Sequence, residues 1–504
     1  MKQHVIAVRP KRFIFPIPSQ LLTSRRSCQE MEKELDEYVP GNKVAFGFGA
    51  LGDSITYQVF TFLVFTFYYA VVGIDINLVT LGFVTWSVWN AINDPLAGLV
   101  SDKTNTKRGR RIPYIAITFL PLSLLMFILW TPPVGSLLWS FIYFVGIIML
   151  FDTVYTFNSL NLTALFPEMY LTEEERTSAN NIRQIFLIVG LLIAFLVPTF
   201  LISDLSAKDT PANIVIGEYQ QAGIILAVIV AVVYLIALKW GVSERKEFKE
   251  DWIDVPSWGD AFKHTLGNRT FHAFLLTNTM NWYVFGLIPT IIPIYGQFVL
   301  GIGAGESIML GILLAAAFVS GGFFMALWKY IVNRWGNLRK AWIASMALWI
   351  AALVPLFFVT DMTIALVLFA FNGIGLSGSL YLKDLVMADI IDEDEVKTGV
   401  RREGAYFGVN ALVMRLAVIL VFVSINLVFN SVGWRVFLPE EATAETLLGL
   451  RLLMGIFPAI ALAVGIAAFS RYQLVGDRLK EVKSKRDDIH SGKQEKTKSD
   501  LPPV

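Results

Sequence analysis

Asn90-Ala-Ile-Asn93-Asp94-Pro95-Leu-Ala-Gly98-Leu-Val-Ser-Asp102-Lys-Thr-Asn-Thr-Lys107-Arg108-Gly-Arg110-Arg111 joins two long apolar stretches. On a helix, Asn90, Asn93 and Asp94 stand at i, i+3 and i+4 and share one face. An aspartate at the centre of a bilayer costs roughly 2.5–3.5 kcal/mol on insertion scales, which turns that face away from lipid. The basic run that closes the stretch belongs in water beside a membrane. Together they read as the end of a spanning helix whose inner face meets an ion, a solute or a partner helix.

Composition agrees. The chain has 504 residues, of which 55% are hydrophobic and 16% charged; a soluble domain carries about 25% charged residues. Mean hydropathy is +0.58. Apolar windows of roughly 20 residues, each long enough to cross a bilayer, recur along the chain, and twelve spans are expected. Loops on one side hold Lys103, Lys107, Arg108, Arg110, Arg111, Arg176, Arg245, Lys246, Lys329, Arg334, Arg401 and Arg402, whereas the opposite loops hold only Lys208 and Arg435. This asymmetry places both termini in the cytoplasm.

The expected fold class is an all-α membrane protein, with twelve transmembrane helices in two six-helix bundles. Residues 1–43 form a cytoplasmic N-terminal tail, 44–240 the first bundle, 241–270 a central cytoplasmic loop and 271–475 the second bundle. Residues 476–504 are charged and nearly free of aromatics, and are expected to be a disordered cytoplasmic tail. Both halves place a short basic turn after their second span, Gly109-Arg110-Arg111 and Gly336-Asn-Leu-Arg339-Lys340. Such an echo around a central loop is the pattern of two bundles related by a pseudo-two-fold, with substrate bound between them. Cys28 is the sole cysteine, so no internal disulfide or cysteine metal site is expected. Residues 1–40 are basic and Pro-punctuated without an apolar core, and no secretory signal peptide is expected there. Met31 opens Met-Glu-Lys-Glu-Leu, which reads as a natural start, so the first thirty residues are expected to be dispensable.

Counting 1.5 Å per residue, Asp53, Asp94, Thr156 and Arg415 fall roughly 10–16 Å from the cytoplasmic edge of a ~30 Å core. Four polar groups from four helices thus share a layer. Asp94 with Asn90, Asn93 and Thr156 offers the hard oxygens that a small cation prefers; Asp94 as a proton carrier is the alternative. Arg415 supplies a forked set of donors for a carboxylate, a phosphate or paired hydroxyls. The plainer reading is that Asp94 and Arg415 neutralise each other.

At these residues the chain resembles the glycoside-pentoside-hexuronide:cation symporter family of the major facilitator superfamily, over nearly all of residues 43–475. Besides Asn90 to Arg111, the resemblance rests on Leu165-Phe-Pro167-Glu168 with Glu174-Glu-Arg176-Thr-Ser and Arg183-Gln-Ile-Phe. It rests also on Ala388-Asp389-Ile-Ile-Asp392-Glu-Asp-Glu-Val-Lys397-Thr-Gly-Val-Arg401-Arg402-Glu403-Gly404-Ala-Tyr-Phe-Gly408. The resemblance implies a cation site at Asn90, Asn93, Asp94 and Thr156, with Asn90 standing where the family has an aspartate. It implies a substrate site at Ser54 (with Asp53 beside it), Ser159, Arg183 and Arg415. Both sugar-gripping carboxylates of the family are absent in register while both positive charges remain, which favours an anionic ligand. The resemblance further implies a cytoplasmic gate of Asp102, Arg110, Arg111, Glu168 and Arg176 with Asp389, Asp392, Arg401 and Arg402, its charge pairs holding the inner mouth shut in the outward-open state.

The remaining features read more plainly. Gly47-Phe-Gly49-Ala-Leu-Gly52 and Gly373-Ile-Gly375-Leu-Ser-Gly378 follow no strand, so they indicate close helix packing or a hinge rather than a nucleotide site. Asp152 either lines the cavity or pairs with a neighbouring helix. Tyr57, Trp86, Trp282 and Tyr283 stack on a ligand or simply pack. The four histidines show no metal spacing, and no enzymatic activity or cofactor is expected. The whole describes a monomeric secondary active transporter working by alternating access, moving a sugar, glycoside or uronate-like solute in symport with Na+ or H+. Its partners are a small-molecule substrate, the coupling cation and the lipid bilayer of the cell membrane, with no nucleic acid. A lysophospholipid symporter of the same fold, and a non-transporting membrane sensor or assembly partner, are the alternatives.

Overall fold

The computed structural model describes residues 40–104, 106, 108–244 and 265–499, with side chains to residue 491. The readings made for Cys28, Met31, Lys107, Arg245 and Lys246, and most of those for the 1–43 tail and the central loop, lie outside these residues.

Helices stand at every expected position: α1 (Lys43–Thr66), α2 (Ile76–Asp102), α3 (Ile112–Ile128), α4 (Leu137–Met169), α5 (Glu173–Leu201), α6 (Ala212–Ile236), α7 (Arg269–Phe298), α8 (Ile308–Trp335), α9 (Leu338–Leu353), α10 (Met362–Thr398), α11 (Glu403–Ser431) and α12 (Ala444–Phe469). Among the described residues, nine are long and apolar enough by themselves to cross a membrane. The other three are α3, short at 17 residues, and α2 and α7. The last two carry the asparagines and threonines that face inward. In α2 the exposed residues Leu81, Val88, Ile92 and Leu99 form one stripe, with buried Asn90 opposite them. Lipid-facing leucine and inward-facing amide are therefore two faces of one helix.

Pairing inside the halves repeats with a shift of six. In the first half α1 packs on α5 and α6, α2 on α4, and α3 on α4 and α6; in the second α7 packs on α11 and α12, α8 on α10, and α9 on α10 and α12. Across the halves, α2 meets α11, α5 meets α8, and α1 meets α7. A pseudo-two-fold axis accounts for all three. Small residues set these crossings, because apolar burial drives no association between helices already in lipid. A Cβ at Gly47 would stand 2.5 Å from the Phe186 ring of α5, and one at Gly52 would stand 2.9 Å from Tyr234 of α6. The Gly-x-Gly run on α1 is a packing surface, as its sequence context indicates.

Bonds between the halves are confined to the end away from the basic loops and to the middle. Gln297 Nε2 donates to Asp204 Oδ1 (2.7 Å), Arg435 Nε pairs with Asp75 (2.5 Å), and Ser307 Oγ donates to the Ser203 carbonyl (2.8 Å). At mid-depth, Ser87 Oγ donates to the Arg415 carbonyl at 2.9 Å. Among the described residues, no hydrogen bond or ion pair joins the halves at the basic end.

One element departs from expectation. Residues 476–499, expected to be disordered, form a helix, α13 (Gly476–Ser499). Its charge composition reads as solvated, yet Lys483, Arg486 and His490 stand on one face against buried acids of α10. Leu479 and Val482 add apolar contact. Complementary charge from the neighbouring helix supplies what the segment's own composition lacks.

Candidate substrate and ion site

A cavity of about 180 Å³ lies between the halves. Tyr57, Gln58, Phe60 and Thr61 of α1 and Phe83 and Trp86 of α2 form one wall; Trp282, Phe285, Pro289 and Thr290 of α7 and Met414, Arg415, Val418 and Phe422 of α11 form the other. Pockets for drug-sized ligands measure roughly 300–1,000 Å³, so this smaller cavity suits a small solute. Phe83 stacks on Phe422 across the halves, with centroids 3.7 Å apart and planes 3° apart. Among the described residues, Arg415 is the only charged one of the lining. Of the four aromatics singled out in the sequence, Tyr57, Trp86 and Trp282 line the space, whereas the Tyr283 hydroxyl pairs with Ser424 Oγ at 3.0 Å.

The carboxylates lie beside this cavity, on the first half. Asp94 Oδ1 accepts from Thr156 Oγ1 (3.1 Å), and Asp94 Oδ2 pairs with the Arg415 guanidinium reaching over from α11. Helical geometry dictates the rest. Thr156 and Asp152 are four residues apart and so share a face of α4. Both helix-two amides turn to Asp152: Asn90 Nδ2 donates to Oδ1, and Asn93 Nδ2 donates to Oδ2 at 3.1 Å. The expected set of Asn90, Asn93, Asp94 and Thr156 is thus in one place but split between two carboxylates. Asp152 was legible through its spacing from Thr156.

The expected substrate residues divide similarly. Arg415 lines the cavity. Asp53 lies near the Ser159 and Tyr155 hydroxyls and within electrostatic reach of Arg183, so three of the expected residues share one neighbourhood without a direct bond to Asp53 Oδ1. Tyr57 stacks on Tyr155 (5.6 Å) and stands between this group and the cavity. Ser54 does not join them. Its hydroxyl donates to the Leu187 carbonyl of α5 at 3.0 Å, where Gly190 permits the helices to touch. Sequence reading missed Lys383 of α10, whose ammonium lies 5.4 Å from the Trp282 ring centre.

The expected gate residues form two clusters, each inside one half. In the first, Glu168 receives Arg110 (2.7 Å) and Arg111 (2.9 Å), and Arg111 also reaches Asp102 (3.3 Å). Glu244, missed in the sequence, accepts the backbone N–H groups of Arg110 (2.6 Å) and Arg111 (3.1 Å) at the start of α3. Gly109, at φ +104°, leaves room for that carboxylate. Arg176 stands apart, its Nε donating to the Tyr170 carbonyl at the end of α4 (2.7 Å). In the second, Arg401 bridges Asp392 (2.8 Å) and Glu395 (2.9 Å), Arg402 approaches Asp394 (3.8 Å), and Asp389 meets Lys483 of α13 (3.4 Å). Arg486 pairs with Asp392 (2.6 Å), and its hydrogen bonds to Asp487 and Asp392 raise its pKa above the ordinary arginine value.

Two pseudo-symmetric helical halves, with a cavity between them and charged residues beside it, are the architecture of a membrane transporter. The model of the MFS/sugar transport protein family matches residues 45–476, and the chain belongs to that family. An uncharacterized symporter of Synechocystis sp. is 25% identical, over 79% of this chain and 87% of its own. A putative 2,3-dihydroxypropane-1-sulfonate exporter of Salmonella typhimurium is 23% identical, over 87% and 93%. Among solved structures, a bacterial homologue of the human lysosomal transporter Spinster superposes with a TM-score of 0.62 at 15% identity, covering 85% of this chain and 96% of that one. This last likeness speaks for the fold alone.

Proposed function

We propose that the protein is a cation-coupled symporter of a small polyhydroxylated solute carrying an anionic group, such as a uronate, with the basic end in the cytoplasm of a cell-membrane-embedded monomer. The observation that carries this reading is the Asp94–Arg415 pair. Arg415 belongs both to the cavity wall and to the ion cluster, and it comes from the opposite half. While it neutralises Asp94 it is withheld from solute. A Na+ ion or proton arriving at Asp94 takes over that charge and frees the guanidinium to grip an anionic or hydroxyl-rich ligand. Ion and solute then favour each other's binding by the same factor. On this reading the far end, where the halves are joined, faces outward, and the basic end, which no bond among the described residues spans, is the cytoplasmic mouth.

Positive charge supports the anionic class, since Arg415, Arg183 and Lys383 all lie around the cavity and the carboxylates beside it. The sulfonate named for one relative is a small hydroxylated anion of this kind. The largely apolar, aromatic wall would also suit an amphiphile such as a lysophospholipid. Proteoliposome uptake of labelled uronate, neutral sugar and lysolipid under Na+ or H+ gradients tests the reading. Asp94→Asn is expected to abolish ion-driven accumulation, leaving solute equal on both sides; a variant that still concentrates solute refutes the role of Asp94.

A further inference from the structure

Asp152 is only 3% exposed, and no lysine or arginine among the described residues pairs with it. Two amides hold it, and one of them is left incomplete. Asn90 is 6% exposed, and with its Nδ2 given to Asp152 its Oδ1 is buried without a hydrogen-bond partner. Charge is incomplete as well. Asp94 and Asp152 bring two negative charges to adjoining turns of α2 and α4, and Arg415 brings one positive charge. Arg415 already answers Asp94, so Asp152 is a buried carboxylate with no counter-charge among the described residues, and such a group coordinates a cation or takes up a proton.

We propose that Asp152 is the second carboxylate of a monovalent-cation site shared with Asp94, in which Thr156 Oγ1 and the free Asn90 Oδ1 complete an all-oxygen shell. Carboxylate, hydroxyl and amide oxygens are the donors a hard ion of the Na+ type prefers over nitrogen or sulfur. Binding to Asp152 also explains why the two amides sit where they do. Each amide fixes one of its oxygens, and a carboxylate oxygen that accepts one hydrogen bond keeps a lone pair for an ion. Because Asn90 and Asp152 touch, the carboxylate can be moved from one helix to the other with its charge staying in nearly the same place. This inference rests on the symport reading above.

The test is Na+ titration of the purified full-length transporter by calorimetry, with Li+ in a second series and thermal melting without ion as the folding control. Asp152→Asn is expected to weaken Na+ binding by on the order of tenfold or more. The exchange variant Asn90→Asp/Asp152→Asn is expected to recover it to within about threefold, on the same order-of-magnitude scale. Wild-type affinity in Asp152→Asn overturns the proposal, and if Asp94→Asn has then lost Na+ binding the symport reading stands on Asp94 alone. Should Asp152→Asn fail to fold, the exchange variant decides: a folded protein with restored Na+ binding supports the shared site, and a folded protein without it overturns the site. A wild type that takes neither Na+ nor Li+ also overturns it, while accumulation driven by a proton gradient would leave the symport reading intact.

Discussion

The two ends of this molecule handle the same kind of side chain in opposite ways. At the far end, polar residues reach across the interface: Gln297 to Asp204, Arg435 to Asp75, Ser307 to Ser203. At the basic end, a much larger set of charges stays at home. Arg110 and Arg111 close on Glu168, and Arg401 closes on Asp392 and Glu395. Buried charges need partners in every state. On the proposed mechanism, the basic-end groups hold partners inside their own halves while that end is open, and closing it means exchanging them. Opening one end and shutting the other is then a trade of polar contacts rather than a net loss, which suits halves that must rock with little bias.

Breaking the most deeply buried of the home pairs should have the largest effect. Arg110 is nearly buried, so Arg110→Ala leaves part of the Glu168 charge uncompensated and should cost on the order of 3 kcal/mol. Thermal unfolding of the purified variant measures it; a melting curve like that of the wild type would mean that Arg111 alone satisfies Glu168. A smaller effect is expected from Gln297→Ala, which removes the side-chain bonds to Asp204 and Ser206 but keeps the backbone contact with Lys208. Loss of about 0.5–1.5 kcal/mol at the far end should move the conformational balance toward outward-open by about 2- to 10-fold. With Cys28 replaced by serine, alkylation of Thr61→Cys in the cavity wall from each side of the membrane reads that balance. Unchanged labelling would show that the apolar Phe83–Phe422 contact, and not the polar clasp, holds the far end closed. Smallest of all is Arg486→Ala on α13. That side chain is partly exposed and Asp392 retains Arg401, so the loss should be below about 1 kcal/mol by the same unfolding measurement.

Much of this was legible in the sequence, for reasons that also mark where legibility ends. Periodicity and charge asymmetry reveal which stretches are helices and which face turns inward, so Asn90, Asn93, Asp94, Thr156 and Arg415 fall in one neighbourhood. They do not reveal which neighbour a polar group meets. Asn90 and Asn93 could face Asp94 or Asp152 with equal helical logic, and only the contact of α2 with α4 decides for Asp152. Ser54 shares the polar character of Asp53, but one residue further is 100° around the helix, and it is spent on the α5 backbone. Residues 476–499 look solvated when read alone because their stabilising partners lie some ninety residues earlier in α10. Glu244 escaped notice because its partners are backbone N–H groups, which no side-chain pattern announces.

The central claim is that Arg415 serves Asp94 and the solute in turn. Calorimetric titration of a hexuronate into the purified protein, with the coupling cation saturating and then absent, tests it most directly. The cation is expected to tighten solute binding by about 5- to 150-fold, and solute to tighten cation binding by the same factor. Equal solute affinity with and without Na+, and at every pH at which the protein stays folded, would contradict it.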